Sequence, residues 1–350
     1  MALSKLYYTE ANCVADDTST AKLVTASLLF ALKTLPLQLK TGTNGTSGAP
    51  PAGAAWEMWW STDGVTAGAM GDGVDHLGAD TFDGAKWVRA AAASPHSGFV
   101  LRSPAGICAA LPAARFFLIV DWGTPVDSQI NIILCKAEPT GGTVSARPTS
   151  TDECSTLAMT MTDVTVAGHR LHFVTDAVGN FYVAMSRNGN GDAHAFVGIL
   201  QLEAPGLSAG DLFPMVLISE CISSGRGSLS GTPFVGSTGA TAAGGGTKTR
   251  SPLNFETYAP SSGCGIIWPV STGFATSTSL NEATGKSDAM ACLVLFDGNA
   301  TSCSIKGTIP DWYLQNASRA VGSCEPAAGA SERILIGHFW VPNGGVAFAL

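Results

Sequence analysis

A histidine and a serine stand side by side in the segment SPHSGFVLRSPAG, residues 94–106, and together they raise the question of a hydrolytic site. Serine catalysis needs a base, an orienting acid and an oxyanion hole, and known enzymes expose the serine on a tight turn. The usual signatures, G-x-S-x-G and G-D-S-G-G, do not occur in the chain. We therefore interpret His96 and Ser97 as a turn that leads into a strand. Alternation along that strand assigns its residues to two faces: Phe99 with Leu101, and Val100 with Arg102.

Two polar segments have the residue types of a cation site. The stretch GDGVDHLGADTFDG, residues 71–84, offers carboxylates that suit a hard cation: Asp72, Asp75, Asp80 and Asp83. It partly matches a calcium-binding nonapeptide repeat, but such repeats act as stacked copies and this chain has a single one without its first glycine. The segment RNGNGDA, residues 187–193, spaces Asn188, Asn190 and Asp192 like an EF-hand loop but has Ala193 in place of the turn glycine. We interpret both segments as polar turns and assign no metal ligand.

The histidines and glycines do not complete another site. His169 and His172 are three apart on a predicted strand, so they point to opposite faces and do not share a metal. We interpret His194 and His338, which have apolar neighbours in sequence, as core or interface residues. The segment GAMGDG, residues 68–73, is not a dinucleotide fingerprint, and no P-loop is present. We predict no catalytic, cofactor-binding or metal-binding residue, and hence a protein that is not an enzyme.

The pair Trp59 and Trp60 belongs to a set of eight tryptophans. Indole rings can stack on a sugar or a base, but in β-rich proteins they more often anchor a core or an interface. We favour the anchoring role.

The chain has a low fraction of charged residues. Of the 350 residues, 45% are hydrophobic and only 13% are charged, against about 25% charged in an average soluble domain. Either a membrane or other protein chains must then cover much of the surface. The most apolar stretch, residues 23–32, is flanked by Lys22 and Lys33 and is shorter than the ~18–20 residues that a membrane span needs. The first twenty residues also lack the pattern of a secretory signal, so we expect a cytoplasmic chain that is buried against protein partners.

Charge and cysteine usage exclude two further classes. The formal net charge is -8, and lysines and arginines form no cluster longer than a pair, so no nucleic-acid partner is predicted. The nine cysteines are scattered and form no C-x-x-C motif, which is typical of reduced, buried thiols.

The first 54 residues predict an N-terminal arm, an amphipathic helix and a linker. Residues 16–36 predict the helix, ended by Pro36, with an apolar face formed by Ala21, Val24, Leu28, Ala31, Leu32 and Leu35. Residues 41–54, TGTNGTSGAPPAGA, predict the linker because their glycine, serine and proline content builds no core.

Residues 55–350 predict an all-β domain, a sandwich or barrel. Short apolar runs alternate with turn residues at 99–102, 115–122, 130–136, 170–176, 181–187, 196–202, 213–219, 291–297 and 333–341. Residues 170–187 predict a hairpin in which Gly179 or Asn180 takes a positive φ. A glycine-rich loop at 223–265 interrupts the domain, either as a disordered insertion or as an arm that orders against a neighbouring subunit.

Several of these segments together resemble, in order and type, structural virion proteins of tailed bacteriophages: 59–73, 87–103, 115–124, 307–314 and 336–345. The resemblance implies a virion component assembled in the bacterial host cytoplasm, in the tail or neck as a tube, nozzle, adaptor or fibre-attachment protein. Its partners would be copies of itself and other virion proteins. The alternative in the same class is a capsid decoration (cement) protein. The alternative of another class is a glycan-binding or glycan-hydrolysing module that engages a host surface glycan through Trp59, Trp60 and paired carboxylates at Asp72 and Asp83.

Overall fold

The computed structural model describes the following stretches of the chain: residues 6–13, 26–39, 42–43, 53–82, 87–88, 97–107, 112–122, 129–151, 153–160, 169–187, 190–199, 215–221, 249–250, 257–258, 264–267, 280–281, 286–287, 289–299, 302–316, 324–325, 333–339 and 344–349. This part of the chain contains one helix, α1 (Ala26–Gln38), and 23 strands. The strands are β1 (Leu6–Cys13), β2 (Gly42–Thr43), β3 (Glu57–Thr62), β4 (Thr81–Phe82), β5 (Trp87–Val88), β6 (Ser97–Arg102), β7 (Phe117–Trp122), β8 (Gln129–Cys135), β9 (Glu153–Thr160), β10 (His169–Thr175), β11 (Phe181–Arg187), β12 (Asn190–Ile199), β13 (Met215–Cys221), β14 (Thr249–Arg250), β15 (Thr257–Tyr258), β16 (Cys264–Ile267), β17 (Leu280–Asn281), β18 (Lys286–Ser287), β19 (Ala289–Asn299), β20 (Ser302–Asn316), β21 (Cys324–Glu325), β22 (Arg333–Phe339) and β23 (Gly344–Ala349).

A five-stranded antiparallel sheet with the order β3-β6-β7-β8-β9 carries most of the residues discussed below. Its central strands are nearly continuous runs of large apolar residues because both faces of the sheet are buried. On the inner face, Leu101, Leu118 and Leu134 lie opposite one another on neighbouring strands. On the outer face, Val100, Ile119 and Ile133 do the same.

A six-stranded sheet with the order β13-β12-β11-β10-β1-β2 faces the first. Its strand pairs are antiparallel except for β1 with β2, which run parallel. Residues 1–54 were expected to form an N-terminal arm, a helix and a linker. Within the expected arm, β1 pairs along its length with β10, and β2, inside the expected linker, pairs with β1. These two strands are therefore part of the second sheet.

The main core lies between these two sheets and α1. It joins inner-face residues of both sheets to the helix in one cluster of buried side chains, which includes Tyr8, Phe30, Leu32, Phe99, Leu118, Ile132, Phe173 and Phe181. Helix α1 lies against β10 and β11. Two sheets that share one apolar layer form a sandwich, with the helix as part of its filling.

A third sheet has six strands in the order β16-β19-β20-β23-β22-β21. Its strand β22 lies next to β11 and β12 of the second sheet. On that second sheet, Val174 of β10 and Tyr182 of β11 are buried although they face away from the main core. The described residues are thus mostly β-strands in antiparallel sheets with one short helix, and the all-β prediction is confirmed at that level. Each sheet formed by these residues is open, with two edge strands, so the barrel alternative is not realised in them.

Helix α1 differs from the predicted amphipathic helix. Within it, residues 29–36 are all buried, including Lys33 and Thr34, so the helix has no solvent-facing side there. It also continues past Pro36 to Gln38 and ends where Leu39 adopts a left-handed conformation with φ of 47°. The proline lies in the last turn, where the loss of one helical hydrogen bond is offset by burial of its ring. Residues 16–25 of the prediction lie outside the described part.

The helix is also too short to cross a membrane. Among the described residues no helix has the length and apolar character of a membrane span.

The predicted strands occur close to their expected places, but the glycine-rich loop is only partly described. Backbone strands cover the core of each predicted run, with β12 beginning six residues early, at Asn190. Within 223–265, β14, β15 and the first residues of β16 are strands. The remaining residues of that loop lie outside the described part, so both interpretations of it stay predictions.

The β10–β11 hairpin is confirmed, with the positive φ at Gly179, where it is 99°. The carboxylate of Asp176 organises the turn: its Oδ1 accepts the backbone N–H groups of Val178, Gly179 and Asn180, each at 3.0 Å. Its Oδ2 accepts the side-chain amide of Asn180 at 2.6 Å. Burial raises the pKa of Asp176, although the hydrogen bonds from Asn180 and from the backbone oppose the shift.

The same turn is fixed to the start of the first sheet, which makes Gly179 a sensitive position. The indole N–H of Trp56 donates to the Gly179 carbonyl at 2.8 Å. A Cβ at position 179 would lie 2.5 Å from Cγ of Pro104 and 2.9 Å from the Ala54 carbonyl oxygen.

We therefore expect Gly179→Ala to lower the free energy of unfolding by about 2–3 kcal/mol, combining left-handed backbone strain with overpacking. The measurement is urea unfolding followed by tryptophan fluorescence. Gly106→Ala is the matched control, because Gly106 has a φ of 72° but a Cβ added there would meet no atom within 4 Å, so only the strain of about 1 kcal/mol applies. Equal losses in the two variants would show that the contacts with Pro104 and Ala54 contribute nothing.

Candidate functional site

Ser97, the serine considered as a nucleophile, belongs to the scaffold. Strand β6 begins at Ser97, which is 2% exposed and donates its hydroxyl to the Asp63 carbonyl at 3.2 Å. The predicted faces of this strand are confirmed: Phe99 and Leu101 lie in the main core, and Val100 lies in the outer cluster. His96 lies outside the described residues. Ser97 is thus a buried residue at a strand entry that hydrogen-bonds to backbone.

The outer face of the five-stranded sheet carries the two adjacent tryptophans. Strand β3 has a bulge at this point, since Met58 pairs with Leu101 but Trp60 pairs with the very next residue, Val100. The extra residue, Trp59, shifts the alternation, so Met58 points to the main core while both tryptophans lie on the outer side. Trp60 is part of an outer cluster whose buried members are Trp60, Val100, Phe117, Ile119, Ile133 and Cys135.

Neither tryptophan offers a free ring for a ligand. Trp60 is 1% exposed, and a Cβ at Gly142 would lie within 2.8 Å of its ring and of Met70. The half-buried Trp59 is covered by the guanidinium of Arg102, 4.1 Å from the ring centroid. Arg102 is itself paired with Glu57, to which its Nε donates at 2.7 Å. The anchoring interpretation therefore agrees with the geometry of both rings.

Two loops, residues 63–80 and 137–150, cover this outer face, and we call them the loop layer. Ala67 and Met70 of the first loop pack against the outer cluster, and Gly142 of the second sits over Trp60 and beside Met70. The two loops therefore meet above the tryptophan pair.

The first loop also closes the free edge of β3. Backbone N–H groups of Gly68 and Gly71 donate to the carbonyls of Ser61 and Trp59 at 3.0 and 2.6 Å, and Thr62 forms a bridge with Ala67. The edge of this sheet is thereby satisfied by the chain's own backbone.

The aspartates of the acidic stretch have structural partners. Oδ1 of Asp72 accepts the Val74 N–H at 2.9 Å, and its Oδ2 accepts the Ala69 N–H at 2.9 Å. Asp63 receives the N–H groups of Val65 and Thr66 in the same way, at 2.8 and 2.6 Å. These are side-chain-to-backbone turns of the kind that aspartate favours. The polar-turn interpretation of residues 71–84 thus accounts for Asp72.

Asp63 and Asp72 are ionised at neutral pH. Hydrogen bonds from the backbone of Thr66 and Val65 hold the pKa of Asp63 below its ordinary value. For Asp72, burial acts to raise the pKa, but the Val74 N–H, the His76 side chain and the Ala69 N–H together lower it. His76 Nε2 lies 3.4 Å from Asp72 Oδ2.

A buried lysine from the helix pairs with the other two aspartates. Lys33, 4% exposed, places its Nζ 3.0 Å from Asp75 Oδ2 and 2.9 Å from Asp80 Oδ2. It also donates to the Gly78 carbonyl at 2.8 Å, so the ammonium lies among two carboxylates and a carbonyl. Asp80 additionally accepts the Thr34 hydroxyl. The carboxylates considered as metal ligands thus hold the loop layer to α1.

The remaining predicted residues do not converge. Among the described residues, no three histidine, cysteine or acidic side chains are grouped as metal ligands. Asn190 and Asp192 of the EF-hand-like segment lie on β12, and Asn188 lies outside the described residues, as does Asp83. His169 and His172 lie on β10, His194 on β12 and His338 on β22. Cys135 is buried, in agreement with the prediction of buried thiols.

A crevice beside Trp60 is too narrow to bind a ligand without rearrangement. It is lined by Trp60, Thr62, Gly98, Ile119, Val120, Asp121, Arg147 and Pro148, and its free space does not admit a water molecule.

Sequence reasoning missed two structural features of this region, the bulge at Trp59 and the burial of Lys33. Both depend on contacts that are distant in sequence.

The loop layer carries exposed apolar side chains. In the described part of the chain, three large hydrophobic residues are exposed: Val65 at 77%, Val74 at 49% and Val144 at 37%. All three belong to the loop layer.

Comparisons with known proteins add no assignment to this geometry. No family model, curated protein sequence or solved structure matches the chain significantly.

Proposed function

We propose that this chain is a structural subunit of a tailed bacteriophage virion, located in the tail or neck, and that it acts through protein–protein contacts. The observation that carries the proposal is the different use of polar and apolar side chains in the loop layer. Its aspartates form hydrogen bonds and ion pairs within the fold. Its exposed side chains include Val65, Val74 and Val144, the three large hydrophobic residues that are exposed in the described part of the chain.

The chemistry of the polar residues supports a role without catalysis. Ser97 is bonded to a backbone carbonyl, Asp72 caps its own turn, and Asp75 and Asp80 share the Lys33 ammonium. A general acid, base or nucleophile must instead be free to reach a substrate.

The composition supports burial of surface in an assembly. With 13% charged residues, the chain has about half the charge of an average soluble domain. A subunit that covers part of its surface with neighbours does not need charged residues there, and the resemblance of five segments to virion proteins supports a virion as the assembly.

The glycan-binding alternative finds no support in its two tryptophans. Trp60 is buried, and the face of Trp59 is covered by Arg102. A capsid decoration protein remains the alternative within the same class, because it too acts through a contact surface.

The test is the native mass of the purified chain by light scattering, followed by negative-stain imaging and by mass spectrometry of purified particles. We expect the chain in the particles, and a closed ring of subunits for a tail or neck role. A trimer would favour the decoration alternative or a fibre. A monomer that is undetectable in purified particles would contradict the proposal.

A further inference from the structure

The loop layer combines exposed apolar side chains with uncompensated negative charge. From residue 63 to residue 85 the sequence has no lysine or arginine. The first loop has four aspartates, of which Asp75 and Asp80 contact a single lysine of the helix that is buried beneath the loop. Asp72 has His76 as a neighbour at 3.4 Å, and no lysine or arginine of the described residues pairs with Asp63 or Asp72. Both carboxylates therefore contribute negative charge close to the exposed Val65 and Val74.

Three cations of the described residues lie on or beside the loop layer. Arg102 is bound to Glu57 and lies on the Trp59 ring. Arg147 lies within the second loop and Lys136 directly precedes it, each already interacting with another group, and Glu138 adds a negative charge to the same loop.

The two loops are in contact. Gly142 of the second loop is packed against Met70 of the first, and the exposed Val144 follows Gly142 by two residues. The turns that present these valines are rigid at their base, since Asp63 and Asp72 each accept two backbone N–H groups. A preorganised apolar surface loses little conformational entropy when a partner binds.

We propose that the loop layer is a docking surface for a protein surface of opposite charge, with lysine or arginine side chains around an apolar centre. A two-fold contact between copies through this layer would place Asp63 and Asp72 against the same aspartates of the second copy. Like charges across an interface are unfavourable, whereas a cationic rim pairs with them. The partner surface is therefore a different one from the loop layer itself.

This inference rests on the proposed function only in assuming that the chain acts by protein contacts, and it is tested independently of the particle. The probes are a synthetic peptide of alternating lysine and leucine and its counterpart of glutamate and leucine. Their binding to the folded chain is measured by fluorescence anisotropy. We expect at least tenfold tighter binding of the lysine peptide.

Site specificity is tested with variants. The triple variant Val65→Ser/Val74→Ser/Val144→Ser keeps the charge and should weaken binding of the lysine peptide at least fivefold. The double variant Asp63→Asn/Asp72→Asn keeps the valines and should weaken it to a similar degree. The control Thr66→Ala/Thr140→Ala/Ser145→Ala alters exposed residues of the same loops and should bind within about twofold of wild type.

Three results would overturn the inference. Equal affinity for the two peptides would remove the charge complementarity, and unchanged binding by the valine variant would place the contact elsewhere. A wild-type dimer that becomes monomeric in the valine variant would identify a second copy as the occupant. Failure of the proposed function, by contrast, would appear as absence from particles with peptide binding intact.

Discussion

Replacing Lys33 with methionine is expected to lower the free energy of unfolding by about 3–5 kcal/mol, the cost of leaving a buried charge without its partner. Methionine keeps the apolar stem of the side chain, so the variant removes the ammonium with little change in packing. Asp80, whose side chain is 3% exposed, would then retain the Thr34 hydroxyl but no cation. The change is measured by urea unfolding at neutral pH.

The control for this prediction neutralises the whole cluster. In Lys33→Met/Asp75→Asn/Asp80→Asn no buried charge is left unpaired, so part of the lost stability should return, since much of the cost of the single variant is the uncompensated buried charge. A single variant that unfolds at the wild-type urea concentration would show that the cluster does not hold the loop layer to α1.

Trp60→Ala is expected to cost about 3–5 kcal/mol, because truncating a fully buried tryptophan leaves a large cavity. The cavity would lie between the sheet and the loop layer, where the ring contacts the outer cluster and Gly142 closes over it. Thermal unfolding by calorimetry measures the effect. A glycan-binding role for Trp60 predicts the opposite outcome, a variant that is as stable as wild type but no longer binds sugar.

The matched control is Val65→Ala in the same loop layer. Val65 is 77% exposed, so its truncation should change stability by less than about 0.5 kcal/mol. Comparable losses in Trp60→Ala and Val65→Ala would contradict the burial of Trp60.

The parts of the fold that could be predicted from sequence are those with a local cause. Continuous apolar runs such as residues 117–122 and 181–187 predict strands because a chain buried on both faces needs apolar residues at every position. A tight hairpin turn requires a positive φ, which predicts Gly179 or Asn180 for that position, and the structure has it at Gly179.

The parts that could not be predicted depend on distant partners. The segment LYYTEANC of β1 mixes polar and apolar residues, and its strand partner β10 begins at His169. In the sequence, Lys33 directly follows an apolar stretch. Its burial depends on partners more than forty residues away in the chain, which the local sequence does not show. The bulge at Trp59 is a register shift between strands, which the alternation within one strand does not reveal.

The closed edge of β3 has a consequence for the timing of assembly. Copies of the virion subunit proposed above would encounter one another at high concentration before a particle is complete, and an exposed strand edge would let any copy extend the sheet of another. Because Gly68 and Gly71 already occupy the carbonyls of Ser61 and Trp59, this edge gives no template for such growth. Association through the edge of β3 would therefore depend on side-chain contacts, and side-chain contacts can be specific for one partner.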